Sequence, residues 1–445
     1  MDWWVKLIPP AKAEEAGSEE KLVGFMPARE RVMLIRSRLS RIYFMRKFFD
    51  YPVSLSMQTI TNLGPVRLVR VGISYVWARL FPTHPEKNLE DFFINRFGKA
   101  LYRTFFKDYT EKVWGVDCRE ISPSWGAQRI KGLSITKALL HVFRSFLPAA
   151  RKDGVAQKAV ETSLIERFYY PKFGPGQMWR LAAEELKERG GQILFGHAAD
   201  RIEWDGKRIL AVEATDRATG QARRFPCDAL ISTMPLKDLV GGLSPVAPVA
   251  AREIATGLMY RDFITVGLLV RKLKPSRYTA PDSKIHLVPD TWIYIQEPDV
   301  KIGRLQVFNN WSPALVRDPH TVWLGLEYFC FENDDLWNLS DQAMGDLARA
   351  ELARIDLISP EDVLDFHVAR VPKAYPAYFG TYDRFAELQK ILDGIENLFP
   401  VGRNGMHRYN NQDHSMLTAK LAVDAILGKE IDKADIWAVN VEEEY

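Results

Sequence analysis

The side chains best equipped for chemistry crowd into one stretch near the end of the chain. There Arg403, His407, Arg408, Tyr409 and Gln412 fall between an apolar run and a helical pattern. The run, Leu398-Phe399-Pro400-Val401, reads as the end of a buried strand. Gly402 and Gly405 follow, residue types that let a backbone turn sharply or come close to a ligand. Met416, Leu417, Leu421, Val423 and Ile426 then recur at helical spacing from about Asp413, and Gly428 is a natural stop. A strand, a glycine turn and a helix start in that order bring unpaired backbone N–H groups to one point, which suits an anionic or electron-rich ligand. The polar residues between them exceed what a plain connection with capping residues requires.

A second cluster lies far upstream, Phe105-Phe106-Lys107-Asp108-Tyr109-Thr110-Glu111-Lys112-Val113-Trp114-Gly115. Both segments resemble those of UDP-galactopyranose mutases, within the wider amine oxidase and protoporphyrinogen oxidase-like flavoproteins. In the first, Gly402-Arg403, Tyr409 and the helix from about Asp413 match; in the second, Phe-Phe-Lys-x-Tyr-Thr-x-Lys-x-Trp-Gly does. The resemblance spans roughly residues 30 to 430 and implies FAD as cofactor. Its ring would meet Gly402, Arg403, Gly405, Gln412, Asp413, His414, Ser415 and Met416. It further implies that Trp114 and Tyr109 pack against a uridine, since flat aromatic surfaces stack on any base. For Trp114 a plain core anchor is the alternative.

By the same resemblance Arg129 and Arg304 would hold a pyrophosphate, to which an arginine fork is matched. Tyr375 and Tyr409 would donate hydrogen bonds to the substrate, and Arg403, Tyr409 and Asn411 are the catalytic candidates. The mutases carry an aspartate two residues after the tyrosine, where this chain has Asn411. That departure bears on the substrate more than on the flavin. The implied activity is ring isomerisation of a nucleotide sugar through reduced flavin; the cofactor is the nucleophile, so no protein nucleophile need be visible. Two alternatives stand beside it. One is an amine oxidase or protoporphyrinogen oxidase type of oxidoreductase passing hydride to FAD, and the other is a non-catalytic binding or assembly protein.

These residues need elements to hold them. Helical patterns cover 58–81 and 89–106, and 29–50 is rich in Arg and aromatics. It reads as a hairpin, 40–44 with 47–51, with its arginines solvated, in preference to a nucleic-acid or membrane-binding surface. The 145–160 segment reads as a flexible excursion. A turn-rich 169–176 leads into a helix at 177–189, a short strand at 192–195 and a hairpin of 199–204 with 208–214 about Asp205-Gly206. A buried strand at 227–233 is halted by Pro235. Strands at 263–270, 291–296, 304–309, 322–331 and 366–371, with a helix at 334–355, read as an antiparallel sheet. In the resembled family that sheet roofs the flavin and binds substrate.

The expected fold class is α/β: a Rossmann-like FAD-binding domain with a helical insert and an antiparallel substrate-binding sheet. The expected divisions are 1–52, a remnant of an N-terminal segment; 53–150, helical; 160–245, the middle of the FAD domain; 250–380, the substrate sheet; and 385–435, the last part of the FAD domain. No G-x-G-x-x-G follows a strand, although that fingerprint is what seats an ADP pyrophosphate on a first helix. The expectation is therefore a truncated reading of a longer protein, lacking its first βαβ unit.

Bulk properties narrow the rest. At 445 residues, 47% hydrophobic and 26% charged, the chain can bury a large core in two or three domains. A net charge of +3 demands no nucleic-acid partner. Cys118, Cys227 and Cys330 lack metal or redox spacing and fit a reducing compartment, and His407 and His414 lack a third ligand, so no metal is expected. Without a signal peptide or a run of 18 apolar residues the expected location is cytoplasmic, with peripheral membrane contact open. The expected partner is a small-molecule substrate, and a homo-oligomer is compatible.

Overall fold

The computed structural model describes residues 2–10, 22–23, 26–27, 30–51, 57–123, 167–279 and 283–440. Arg129 and the 145–160 segment lie outside them. The largest layer is a seven-stranded sheet in the order Val363–Gly380, Leu258–Val270, Val322–Cys330, Arg304–Val307, Trp292–Ile295, Ser40–Phe44 and Lys47–Asp50. Every joint is antiparallel except one, where Ser40–Phe44 runs parallel to Trp292–Ile295. The hairpin expected near the N-terminus therefore forms, and it supplies the last two strands of this sheet. Ile264, Val266, Leu305, Leu324 and Leu326 fill the core beneath, against Met344 and Leu352 of the helix Asp341–Arg354. That helix starts later than its apolar pattern begins because the Ser340 side chain caps it, accepting from Ala343 N.

The expectation of solvated hairpin arginines fails at Arg41. Its side chain is buried, donating from Nε to Asp290 Oδ1 (2.7 Å) and from NH2 to Oδ2 (2.5 Å). The guanidinium also lies over the rings of Phe48 and Tyr278, 4.2 and 4.3 Å from their centroids. Asp290 is itself fully buried, so burial of the arginine needed a partner that lies far along the sequence.

A second core joins a four-stranded sheet to a parallel strand pair. The sheet order is Leu243–Ser244, His197–Trp204, Ile209–Asp216, Ala222–Pro226, and Leu230–Ser232 pairs in parallel with Leu398–Pro400. Asn397 links the two sheets: its side chain accepts from Ile209 N and donates to Ile209 O and Asp228 O. The 227–233 strand is shorter than expected, and 192–195 is not a strand; Phe195 there is exposed, and 192–195 pairs with no strand among the described residues.

The helical layer is more broken than its apolar periodicity indicates. Gly64, at φ 76°, and Pro65 split the first pattern into Met57–Leu63 and Pro65–Leu80. Gly98, at φ 77°, ends Leu89–Phe97; a π-helical turn, Tyr102–Phe106, then leads into Lys107–Trp114. No helix among the described residues is long and apolar enough to cross a membrane.

Candidate functional site

The loop singled out by its chemistry is fastened to the long edge strand Val363–Gly380. Gly402–Gly405 forms a single helical turn after Leu398–Pro400. Gly402 takes φ 75°, and its N–H donates to Thr418 Oγ1 at 3.0 Å. A Cβ at Gly405 would stand 2.4 Å from Ser232 O, so this glycine lets the turn press against the parallel strand pair. Asn404 Nδ2 donates to Lys373 O (2.9 Å), Arg403 NH1 to Ala374 O (3.1 Å), and Tyr409 N to the Tyr378 hydroxyl (2.7 Å). His407 Nε2 lies 3.0 Å from Ala377 O, which only accepts, so this nitrogen carries the proton. Arg403 Nε completes the lock on Asn410 O (2.9 Å).

Asn411 then starts the helix Gln412–Ile426 with a capping box: its side chain accepts from the His414 N–H, and His414 Nδ1 accepts from Asn411 N. Helix geometry leaves the Gln412 and Asp413 N–H groups without intrahelical acceptors and places partial positive charge there. Met416, one turn on, is met by Trp4 Nε1, which donates to its Sδ at 3.0 Å.

Two arginines converge on two phenol rings. Tyr375 and Tyr409 stack with centroids 5.4 Å apart and planes 15° apart. The Arg403 guanidinium lies 4.7 Å from the Tyr409 ring and 5.1 Å from that of Tyr375. Arg304 approaches Tyr375 at 5.7 Å and donates from NH2 to its hydroxyl at 3.3 Å. Its Nε pairs with Glu327 Oε2 at 3.1 Å, while Glu327 Oε1 accepts from Gln306 Nε2 at 2.7 Å. Trp292 and Phe329 flank the Arg304 guanidinium at 5.4 and 4.5 Å. Tyr109 meets the edge of Tyr294 at 5.8 Å, and Tyr294 lies 4.3 Å from Tyr51.

Burial raises the pKa of Tyr375, as it does for Tyr109 and Tyr294, so these phenols stay protonated donors at neutral pH. Burial works most strongly against the charge of Arg304, but Glu327 acting together with Tyr375, Tyr109 and Tyr409 more than offsets it and holds the guanidinium charged. Burial pushes His407 down to about 4 and keeps its ring neutral. Asn404 Oδ1, His407 Nδ1 and Trp292 Nε1 are buried polar atoms without a hydrogen-bond partner among the described residues.

The structure thus brings Arg304, Tyr375, Arg403 and Tyr409 together, with Tyr109 on the same side of the sheet through Tyr294. Trp114 is 4% exposed, in the helical core with Phe92, Phe93 and Cys118, against which Tyr375 also packs. Glu327, Trp292 and Tyr294 were missed by sequence reasoning. Glu327 carries a signal in retrospect, being the single charged residue within the apolar strand Val322–Cys330.

A mixed α/β fold with this loop and this sheet defines a class, and solved structures share it. No family model matches the chain, and no curated protein does. A reduced UDP-galactopyranose mutase is similar at a TM-score of 0.71 and 22% identity, over 92% of this chain and 83% of that one. A proposed protoporphyrinogen oxidase of Exiguobacterium sp. 255-15 is similar at 0.54 and 15%, over 83% and 76%. Wild-type putrescine oxidase bound to putrescine is similar at 0.53 and 12%, over 89% and 83%. The likeness shows the fold: this chain has the α/β architecture of UDP-galactopyranose mutase, as its two sequence motifs led us to expect.

Proposed function

We propose that the chain is an FAD-dependent enzyme acting on a nucleotide sugar. The observation that carries this is the Tyr375–Tyr409 stack bracketed by Arg304 and Arg403. Among the described residues two guanidinium groups face one carboxylate there, which leaves an excess of positive charge. That excess, in a site of low polarity, favours a diphosphate and opposes a protonated amine. The residues fit the ring end of a flavin: a capped helix N-terminus, a cation fixed by two backbone carbonyls, and the unpartnered Asn404 Oδ1 in the glycine turn. Gly402, Arg403 and the first turn from Gln412 to Met416 would hold it. When bound, FAD supplies an electron-rich centre in its reduced form or a hydride acceptor in its oxidised form.

The chain's own residues bind and orient. Arg304 would take the substrate's phosphates, with Tyr375 and Tyr409 donating hydrogen bonds and Tyr109 offering an aromatic surface. The positive charge of Arg403 favours an anionic ring beside it. The Asn411 side chain is engaged in the helix cap, and an amide holds no titratable proton, so Asn411 positions the helix end. Trp114 supports the helical layer from inside. Arg129 remains assigned to the phosphates by resemblance alone.

A second reading, an oxidase of amines or apolar molecules, draws on the aromatic lining of Trp292, Phe329 and Tyr375. Arg304 and Arg403 weigh against it. The deciding experiment is a visible absorption spectrum of the purified 445-residue protein, followed by titration with UDP. Flavin bands that UDP shifts support the nucleotide-sugar reading. Bands that UDP leaves unmoved favour the oxidase, and a colourless protein that FAD does not colour favours a binding role. The sequence has no G-x-G-x-x-G, so the spectrum also tests whether the remaining contacts retain the cofactor.

A further inference from the structure

The helix Pro65–Leu80 turns an apolar stripe to solvent. Leu68, Val71, Tyr75 and Ala78 face inward, and Ser74 Oγ accepts from Ala100 N at 2.9 Å. Gly98 lets the backbones approach so closely that a Cβ there would stand 2.8 Å from the Ser74 carbonyl carbon. On the opposite side Val66, Val69, Ile73, Val76 and Leu80 are each more than half exposed. Their spacing of three and four residues puts them on one face. Trp77 and Phe81 extend the stripe at its end, their rings 4.6 Å apart and both exposed.

Scattered exposed apolar residues need no explanation; a continuous stripe of this kind does. The charge on the helix itself is one-signed. Arg67, Arg70 and Arg79 lie on the helix, all exposed, and no acidic residue occurs between Asp50 and Glu86. Two copies paired through this stripe would set arginines against arginines with no carboxylate from either helix to neutralise them. An anionic surface supplies the missing charge. At 16 residues the helix is too short to span a bilayer, but lying in the plane of one it would bury the stripe and leave Arg70 and Arg79, which flank it, at headgroup level. An exposed tryptophan at one end fits the same interface.

We infer that this helix docks the protein on the surface of an anionic lipid bilayer. The test is co-sedimentation of the full chain with vesicles of phosphatidylcholine, with and without about one-third phosphatidylserine, at low and high salt. The expected result is binding to the anionic vesicles that falls at least tenfold in high salt or without phosphatidylserine. Ile73→Glu with Trp77→Glu should reduce it at least tenfold while leaving the melting temperature unchanged, because both side chains are exposed. Arg67→Gln, Arg70→Gln and Arg79→Gln together should remove the preference for anionic lipid. Absence of binding to anionic vesicles, or binding untouched by the double glutamate variant, overturns the inference. So does sedimentation velocity showing a dimer that the glutamate variant dissociates, which would give the face to a second copy.

Discussion

Arg304 combines a buried charge with a single carboxylate partner, so small changes to it separate binding from stability. Arg304→Lys keeps the charge near Glu327 but loses the planar fork and its contact with the Tyr375 hydroxyl. We expect UDP affinity to fall at least tenfold, about 1.4 kcal/mol, with little change in melting temperature; titration and thermal scanning check both. Arg304→Met leaves Glu327 buried and unpaired, and should destabilise the fold by about 3 kcal/mol as well. His407 carries the acid sensitivity. Its pKa falls from 6.5 to about 4 through burial, so between those values the unfolded chain binds a proton that the native chain refuses. Stability is full above the higher value and declines as pH drops through this window, by roughly 3 kcal/mol in total. His407→Gln places an amide N–H near the position of Nε2 and can keep a donor for Ala377 O without a titratable ring. Unfolding measured from pH 7 to pH 4 should show a shallower acid slope in this variant.

Elements place those residues, and there the glycines and prolines decide. Gly405→Ala would bring a methyl within 2.4 Å of the Ser232 carbonyl oxygen, so the turn must move away from the parallel strands. We expect a loss of about 1–3 kcal/mol and weaker flavin retention, read by melting and by the spectrum after gel filtration. The helix from Gln412, the two hairpins and most strands of the large sheet were legible from periodicity and turn residues. The long strand was not. Pro372 and Pro376 argue against a continuing strand beyond 371, yet Val363–Gly380 runs through both, because it is the edge of the sheet and one side needs no ladder bonds. That extension is what carries Tyr375 to Tyr409. The helical layer was misjudged for the opposite reason: Phe92, Phe93 and Phe97 kept their period while Gly98 broke the axis.

Across the molecule, one buried ion pair ties the N-terminal hairpin to the loop before Trp292–Ile295. Desolvation raises the pKa of Asp290, and Arg41 opposes it. Asp290→Asn leaves the Arg41 charge buried beside a neutral partner, and should cost about 3–5 kcal/mol in denaturant unfolding. Exchange of both residues for apolar ones of similar volume should recover much of that loss. The pairing it guards, Ser40–Phe44 alongside Trp292–Ile295, also sets a schedule. The hairpin leaves the ribosome about 250 residues before its partner does, a wait of roughly 10 to 50 seconds at ordinary rates of synthesis. Through that interval the backbone edge of Ser40–Phe44 has no mate and is open to foreign strands. Yield in a cell should therefore respond to translation speed and to chaperone supply as much as to the stability of the finished protein.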